Sequence, residues 1–597
     1  MVKNHWDRVG QVKRAGLLAP LFSIYSKDSI GIGDFSDLKL LADWCAETSN
    51  SILQLLPMNE VGSTSCPYDA ISSFALEPSY VSLSTVSCAG NGDVKKAIKL
   101  LRKSFPAGKA HVDYRIKSAK TELLRRLYLL CQKDLDSKDF RRFVSENSYW
   151  LDDFALFKVL KSRNGGKPWY EWAEAYRDRD KETLRSFSVA NKEGLVFEKW
   201  VQWIAFTQFV AAKKHAASKG VFIKGDLPIL ISRDSADVWS NPGFFKLDFA
   251  AGAPPDMYCA KGQRWGMPTY DWAKIASDDY RYVKEKLKFA GNFYDILRID
   301  HVVGLFRIWS IPYGDGAENE GLNGVFDPKD EALWDGHGRR LLSVILGAAD
   351  MLLCAEDLGM IPKACPEALK EMAIPGNEVQ RWVKDWSGTH DFLAPKKYRQ
   401  LAVSMLSTHD TTNWAGWWEN EAGTVDEALF LRKCAERGID YEKVKKELFD
   451  PALSGRGRLR WRKVINSEEV LLNILGKPRS DLADFLDMYL NTYEEKEKLW
   501  ADLGCKGAMK EKYSSGLVEK ALKVTLDSES VFAINTIVDL LYLDSIVKGD
   551  PYLYRINRPG TVSPENWSLT IPVPVEKLHG LKICKKIRGM IKSSGRA

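Results

Sequence analysis

The sequence predicts an α/β chain built as a (β/α)8 TIM barrel with inserted helical subdomains. Three observations carry this expectation. Several short, apolar, partly β-branched runs end in a charged or polar residue and lead through a loop into a helical pattern, as parallel strands buried on both faces do. Each run delivers a carboxylate or amide at its C-terminal end, where the loops of a barrel converge on a catalytic site. An open doubly wound sheet would normally show a Gly-rich phosphate turn after its first strand, and none is present, Gly31-Ile32-Gly33 alone being a weak signal.

The runs are residues 52–56, ending near Asn59 and Glu60; 221–224, ending at Asp226; 296–299, ending at Asp300; 351–355, ending at Glu356; and 403–406, ending at His409 and Asp410. Two long helical stretches interrupt them. The first spans residues 93–203, where Leu123, Leu124, Leu127 and Leu130 recur at helical spacing. The second spans residues 419–540 and is dense in Lys and Glu, as at Glu494, Glu495, Glu497 and Lys498, a pattern expected of a solvated helix face. Both are expected to be helical subdomains inserted into a single catalytic barrel spanning residues 1–597.

At 597 residues, 45% hydrophobic and 28% charged, the chain reads as globular and soluble. The formal net charge is +7, but residues 576–597 hold seven Lys or Arg and one Glu, which leaves the body close to neutral. Neither nucleic acid nor an acidic membrane is therefore expected as a partner. Within this tail Ile583, Ile587, Met590 and Ile591 fall at helical spacing, which predicts a terminal helix docked on the barrel. The ten cysteines form no CxxC pair and read as reduced core residues. The eight histidines show no metal-ligand spacing, so no metal is expected. Residues 1–14 lack an apolar stretch, and nowhere are there about 18 consecutive apolar residues. A cytoplasmic location is the expectation.

The chemistry lies at the strand ends. Alternation along a strand puts Arg298 and Asp300 on the same side, so the guanidinium can hold the carboxylate ionised and oriented, as suits a nucleophile. Standing alone, the pair would read as a structural ion pair. It is joined by Glu356 after a second apolar strand and by Asp410 after a third. Three such carboxylates match glycoside chemistry, in which one attacks the anomeric carbon, one protonates the leaving oxygen and one steadies an oxocarbenium-like transition state. Thr389-His390-Asp391 repeats the triplet Thr408-His409-Asp410, but it follows Trp386-Ser387-Gly388 in a turn-like stretch, and strand context favours Asp410.

The chain resembles the family 77 glycoside hydrolases, 4-α-glucanotransferases of the amylomaltase or disproportionating-enzyme type. The resemblance rests on motifs in the family's order: Gly16-Leu17-Leu18, Ser65-Cys66-Pro67-Tyr68, Ser73-Phe74-Ala75-Leu76, Lys224-Gly225-Asp226-Leu227-Pro228 and Ser235-Ala236-Asp237-Val238-Trp239. It continues with Ala253-Pro254-Pro255-Asp256, Gly262-Gln263-Arg264-Trp265-Gly266, the three acidic motifs, Pro559-Gly560-Thr561 and Asn566-Trp567. It implies that Asp300 is the nucleophile, Glu356 the acid/base and Asp410 the transition-state stabiliser, with Arg298 and His409 orienting nucleophile and donor sugar. Tyr68 would be the platform under the donor glucose or a core-packing ring, and Asp226 a ligand of donor hydroxyls or a helix cap. Asp256, Gln263 and Trp265 would lie on a loop over the acceptor sites, with Trp265 either meeting the acceptor or pinning the loop. The implied substrates are α-1,4-glucans and maltooligosaccharides, with no cofactor. The sequence departs from the family pattern at Val302 and Val303 after the nucleophile's His and at Thr411-Thr412-Asn413 after Asp410, which bears on acceptor preference. The alternatives are an α-amylase-type hydrolase using the same acids and an inactive glucan-binding scaffold.

Overall fold

A computed structural model describes residues 5–255, 261–544 and 546–597. Eight parallel strands form its centre: β1 Arg14–Leu18, β2 Ile52–Gln54, β3 Phe222–Leu227, β4 Ile296–Ile299, β5 Leu352–Ala355, β6 Gly376–Val379, β7 Ala402–Met405 and β8 Phe532–Thr536. Their order in the sheet is β5-β4-β3-β2-β1-β8-β7-β6, so every strand lies beside its neighbour in sequence, with β8 returning to β1. The seam between β5 and β6 closes through side chains as well as backbone. Ala355 N donates to Pro375 O at 2.8 Å, and Asp357 accepts from Asn377 N and from Arg399 Nη1, both at 2.6 Å.

Five of these strands coincide with the runs read from the sequence. The other three escape periodicity for identifiable reasons. β1 opens on Arg14 and carries Gly16, β6 reads Gly-Asn-Glu-Val, and β8 is a five-residue run leading straight into the helix Ile537–Leu541. β8 corrects one expectation. It lies inside the 419–540 stretch, which is therefore not helical throughout and also contains an antiparallel pair, Thr424–Asp426 with Arg458–Arg460. Part of that stretch has a core of its own, built around Phe430, Phe449, Trp461, Phe485 and Tyr489. Between β2 and β3 the chain is largely helical, ending in the long helix Lys192–Ser218, which runs past residue 203 and packs on the helix Phe35–Glu47. The latter starts at a capping box formed by Asp34 and Asp37, which satisfies backbone N–H groups of its first turn.

A second correction concerns cysteine. Cys88 and Cys131 are disulfide-bonded, with Cα atoms 5.6 Å apart, because the loop carrying Cys88 folds onto the C-terminal end of the helix Ile116–Leu130. Their separation of 43 residues gives no sequence signal. Cys45, Cys354, Cys365, Cys434 and Cys584 are buried free thiols. The basic tail forms the helix Lys582–Ser593, whose Ile583, Ile587, Met590 and Ile591 are buried against the protein. Among the described residues no helix is long and apolar enough to cross a membrane.

The seam constrains Gly376. A Cβ at this position would stand 2.2 Å from Asp357 Oδ2, displacing the carboxylate that ties β5 to β6. Gly376→Ala is expected to lower stability by about 1–3 kcal/mol in urea unfolding followed by tryptophan fluorescence. An unchanged midpoint would show that the seam does not depend on this contact.

Candidate active site

The register of the barrel assembles the site. β3 and β4 pair so that Asp226 lies beside Arg298, and period-two alternation carries Asp300 to the same face. Arg298 Nη1 donates to Asp226 Oδ1 at 2.7 Å, to Asp226 Oδ2 at 2.8 Å and to Asp300 Oδ1 at 2.8 Å. One step down, the same alternation aligns Lys224 with Gln54 of β2, and Lys224 Nζ donates to Gln54 Oε1 at 2.9 Å. The barrel interior is thus filled at this level by paired polar side chains whose partners are set by strand register.

From Asp226 a chain of hydrogen bonds runs to the third acid. Tyr68 Oη donates to Asp226 Oδ2 at 2.8 Å and meets His409 Nε2 at 3.0 Å. Tyr68 has one hydroxyl proton and gives it to Asp226, so toward His409 its oxygen accepts and Nε2 carries the hydrogen. His409 Nε2 also lies 3.0 Å from Asp410 Oδ2, and Asn557 Nδ2 donates to Asp410 Oδ1 at 2.7 Å. The Tyr68 ring is stacked on His409 with centroids 5.4 Å apart, and Trp567 tilts against both.

Glu356 is held from the other side. Its Oε2 accepts from His301 N and its Oε1 from Leu358 N, each at 2.9 Å. His301 aims its N–H at Glu356 from the left-handed region, at φ 44°, an unusual conformation for a residue other than glycine. The backbone supports this placement, since Asp300 N donates to Leu227 O and Glu356 N to Ile299 O, extending the β3-β4-β5 ladders to the residues that carry the acids.

The three carboxylates occupy three electrostatic environments. Burial, with Asp226 and Asp410 nearby, pushes Asp300 up to about 6 against the pull of Arg298. Burial and the Asp300 carboxylate push Glu356 up to about 7, again against Arg298. Burial opposes the charge on Asp410 too, but His409 and the Asn557 amide outweigh it and hold Asp410 at about 2. The pairing raises His409 in turn, Asp410 outweighing the effect of burial. A neutral Glu356 beside a charged Asp300, with a permanently charged Asp410, is the pattern expected where one acid donates a proton and another attacks.

Of the residues singled out in the sequence, Asp300, Glu356, Asp410, Tyr68, Asp226, Arg298 and His409 form this cluster. The Asp226 side chain is fully buried, with its oxygens taken by Arg298 and Tyr68, so in this arrangement it anchors those two groups and is closed to a sugar hydroxyl. Gln263 and Trp265 sit together at the edge of the cluster. Trp265 Nε1 donates to Gln263 Oε1 at 3.0 Å, and the Trp265 ring meets His301 edge-on at 4.9 Å. Asp256 lies outside the described residues. Asp391 lies apart from the cluster, half-exposed and paired with Lys498 Nζ at 2.8 Å.

Sequence reasoning missed Asn557, Arg555 and the role of the His301 amide. Arg555 Nη2 donates to Asp410 O at 3.2 Å, and its Nε donates to Asn557 O at 2.8 Å. Both residues lie on a loop shortly before Pro559-Gly560, with no apolar strand to flag them. Among the described residues no group of three or more His, Cys, Asp or Glu side chains is placed to hold a metal ion.

The family described as 4-alpha-glucanotransferase matches residues 19–574. The chain belongs to the 4-alpha-glucanotransferase family. It is 32% identical over 583 residues to a 4-alpha-glucanotransferase of Chlamydia caviae, covering 96% of this chain and 94% of that protein. It is 31% identical to one from Aquifex aeolicus over 490 residues, covering 78% and 94% respectively. In fold it is similar to the amylomaltase from Streptococcus agalactiae solved in complex with acarbose, with TM-score 0.72 and 21% identity over 98% of this chain and all of that one. The chain is thus a glycosyltransferase of the 4-alpha-glucanotransferase type, carried on a (β/α)8 barrel.

In this 4-alpha-glucanotransferase the guanidinium of Arg298 neutralises one fully buried carboxylate, Asp226, and one partly buried, Asp300. Arg298→Met is expected to destabilise the fold by about 3–5 kcal/mol in urea unfolding, because Asp226 would stay buried without its cation. A loss below about 1 kcal/mol would show that the strand ends carry these charges without it.

Proposed function

We propose that the chain transfers segments of α-1,4-glucans and maltooligosaccharides to the 4-hydroxyl of an acceptor glucan or glucose by retaining double displacement, without a cofactor. Asp300 attacks the anomeric carbon while Glu356 protonates the departing glycosidic oxygen, which leaves a glycosyl ester on Asp300. Glu356, now a carboxylate, takes the proton from the acceptor hydroxyl as that oxygen attacks the anomeric carbon and the bond from this carbon to the Asp300 oxygen breaks, which returns Asp300 as a carboxylate. Asp410 stays charged throughout and faces the positive charge that develops on the sugar ring. The supporting observation is the meeting of three carboxylates of different proton affinity at the ends of β4, β5 and β7, with Asp300 and Asp410 joined through Arg298, Asp226, Tyr68 and His409, and Glu356 held by the His301 and Leu358 amides.

Tyr68 and His409 form the wall on the donor side, with Asp226 acting through Arg298 and Tyr68. Gln263 and Trp265 form the acceptor side. Incubation with maltotriose tests the reading directly, because a ladder of longer and shorter glucans marks a transferase and shortening alone marks a hydrolase. Asp300→Asn is expected to abolish turnover, and Glu356→Gln to reduce it by about 100- to 10,000-fold. Asp391→Asn, by contrast, is expected to be far milder than Asp410→Asn. The reverse order would move the third acid to the other Thr-His-Asp triplet.

The pH dependence follows from the same two groups. Asp300 must be ionised and stands at about 6, so activity is lost as pH falls through that value; Glu356 must be protonated and stands at about 7, so activity is lost as pH rises through it. Because the charge on Asp300 raises Glu356, the two titrate together, and kcat/KM is expected to follow a narrow bell with its maximum between these limits. The residual activity of Glu356→Gln is expected to lack the alkaline limb, and an alkaline limb that survives would assign the acid elsewhere.

Transfer requires that the ester outlast water. An acceptor held in attacking geometry gains an effective molarity of about 10⁵ M or more, provided that water is kept from the same position. Trp265, set against His301 next to the nucleophile, supplies an apolar face for this purpose. Trp265→Ala is expected to raise the ratio of hydrolysis to transfer more than it lowers donor cleavage, as measured by new reducing ends against maltotriose consumed. Collapse of cleavage at an unchanged ratio would make Trp265 a pin for its strand only.

A further inference from the structure

A strip of rings and guanidinium groups leads away from Trp265 across the catalytic face of the barrel, and the chemistry above makes no use of it. Arg264 precedes Trp265 and donates through Nη2 to Tyr313 O and through Nη1 to Asp315 O, both at 2.7 Å. Its guanidinium carbon lies 5.9 Å from the centre of the Tyr313 ring. Arg233 stands over the same ring at 3.8 Å and lies 5.4 Å from the ring of Tyr170. The strip joins four pieces of chain that sequence keeps apart. Tyr170 sits in the turn Trp169–Glu171 between β2 and β3, Arg233 in the loop after β3, Arg264 on the strand Gln263–Arg264, and Tyr313 just after the strand Ile308–Pro312 that follows Asp300.

These positions are held firmly by groups beneath them. Buried Trp169 donates its indole N–H to Arg233 O at 2.8 Å, Arg233 Nη1 donates to Leu247 O at 2.6 Å, and Tyr313 N donates to Asp248 O at 2.8 Å. The rings themselves stay open, Tyr170 38% and Tyr313 40% exposed. Among the described residues neither phenol hydroxyl is hydrogen-bonded, and neither Arg233 nor Arg264 forms an ion pair. Fixed backbones that present open aromatic rings beside guanidinium groups suit a ligand with apolar faces and a rim of hydroxyls, and a chain of α-linked glucose units has both.

We propose that Tyr313, Arg233 and Tyr170 form a distal subsite strip that binds the non-reacting length of a long α-glucan acceptor. The proposal rests on the reading of Gln263 and Trp265 as the acceptor side, since Arg264 links that strand to Tyr313. The strip gives long acceptors an advantage that glucose, which reaches only the catalytic end, does not share. The competing role for these residues is a clamp that fastens the turn at Tyr170 to the barrel face.

The test compares the parent protein with the double variant Tyr170→Ala/Tyr313→Ala in transfer from maltotriose to two isotopically labelled acceptors, glucose and maltoheptaose, with labelled products followed by mass spectrometry. The apparent KM for maltoheptaose is expected to rise at least fivefold, while that for glucose changes less than twofold. The double variant Tyr170→Phe/Tyr313→Phe, which keeps the rings, is expected to return the maltoheptaose value to within twofold of the parent. An equal change for both acceptors, with or without a fall in thermal midpoint, would reduce the strip to a clamp, and no change for either would remove it altogether. A parent protein that transfers nothing to labelled glucose would overturn the active-site reading itself, and the strip with it.

Discussion

The guanidinium of Arg298 sits between a carboxylate that the barrel buries fully and one that it buries in part, and much of the site follows from that. Asp226 has no access to solvent, so its charge is tolerable only because Arg298 and the Tyr68 hydroxyl satisfy its oxygens. Once Arg298 is held by Asp226, it is in place to hold Asp300, and Tyr68 is in place to meet His409. The chain of contacts then reaches Asp410. A buried ion pair of this kind contributes little net stability and instead dictates geometry, because each partner has one arrangement in which its hydrogen bonds are met.

The same network separates the proton affinities of three acids of similar intrinsic strength. Asp410 has His409, whose proton affinity the pairing raises, and an amide of its own, whereas Glu356 has two backbone N–H groups and shares the influence of Arg298 with a nearby Asp300. Burial raises all three, so the difference arises from which compensating charge each one faces. The separation of proton affinities that the proposed roles of nucleophile and acid require is thus a property of the surroundings, and side-chain type alone would not produce it.

The barrel allows this because its strands end at one level around a ring, and its loops are long enough to bring distant groups to the rim. Asn557 reaches Asp410 from 147 residues downstream, and the Trp265 strand reaches His301 from the segment between β3 and β4. The loops also extend the working surface beyond the reacting centre, as the Arg264, Tyr313, Arg233 and Tyr170 series does. A transferase that handles polymers benefits from binding groups remote from the bond it breaks, because binding energy from non-reacting units orients the ones that react.

What the sequence alone determined follows from short-range rules. A short apolar run that ends in an acid reads as a buried parallel strand, and this located β2, β3, β4, β5 and β7 and the acids Asp300, Glu356 and Asp410. Period-two alternation set Arg298 and Asp300 on one face, and strand context separated Asp410 from Asp391, which the fold leaves half-exposed and paired with Lys498. Beyond that reach lay β1, β6 and β8, whose Gly and polar residues or short length break the pattern, and the Cys88–Cys131 bond, whose partners approach only when a loop folds onto a helix end. Only the tertiary structure decided that Asp226 lies against Arg298, that the His301 amide points at Glu356, that Asn557 steadies Asp410, and how far each carboxyl moves from its ordinary range. The reason is physical: strand register, desolvation and contact between segments hundreds of residues apart are properties of the closed barrel, and no local stretch of chain possesses them.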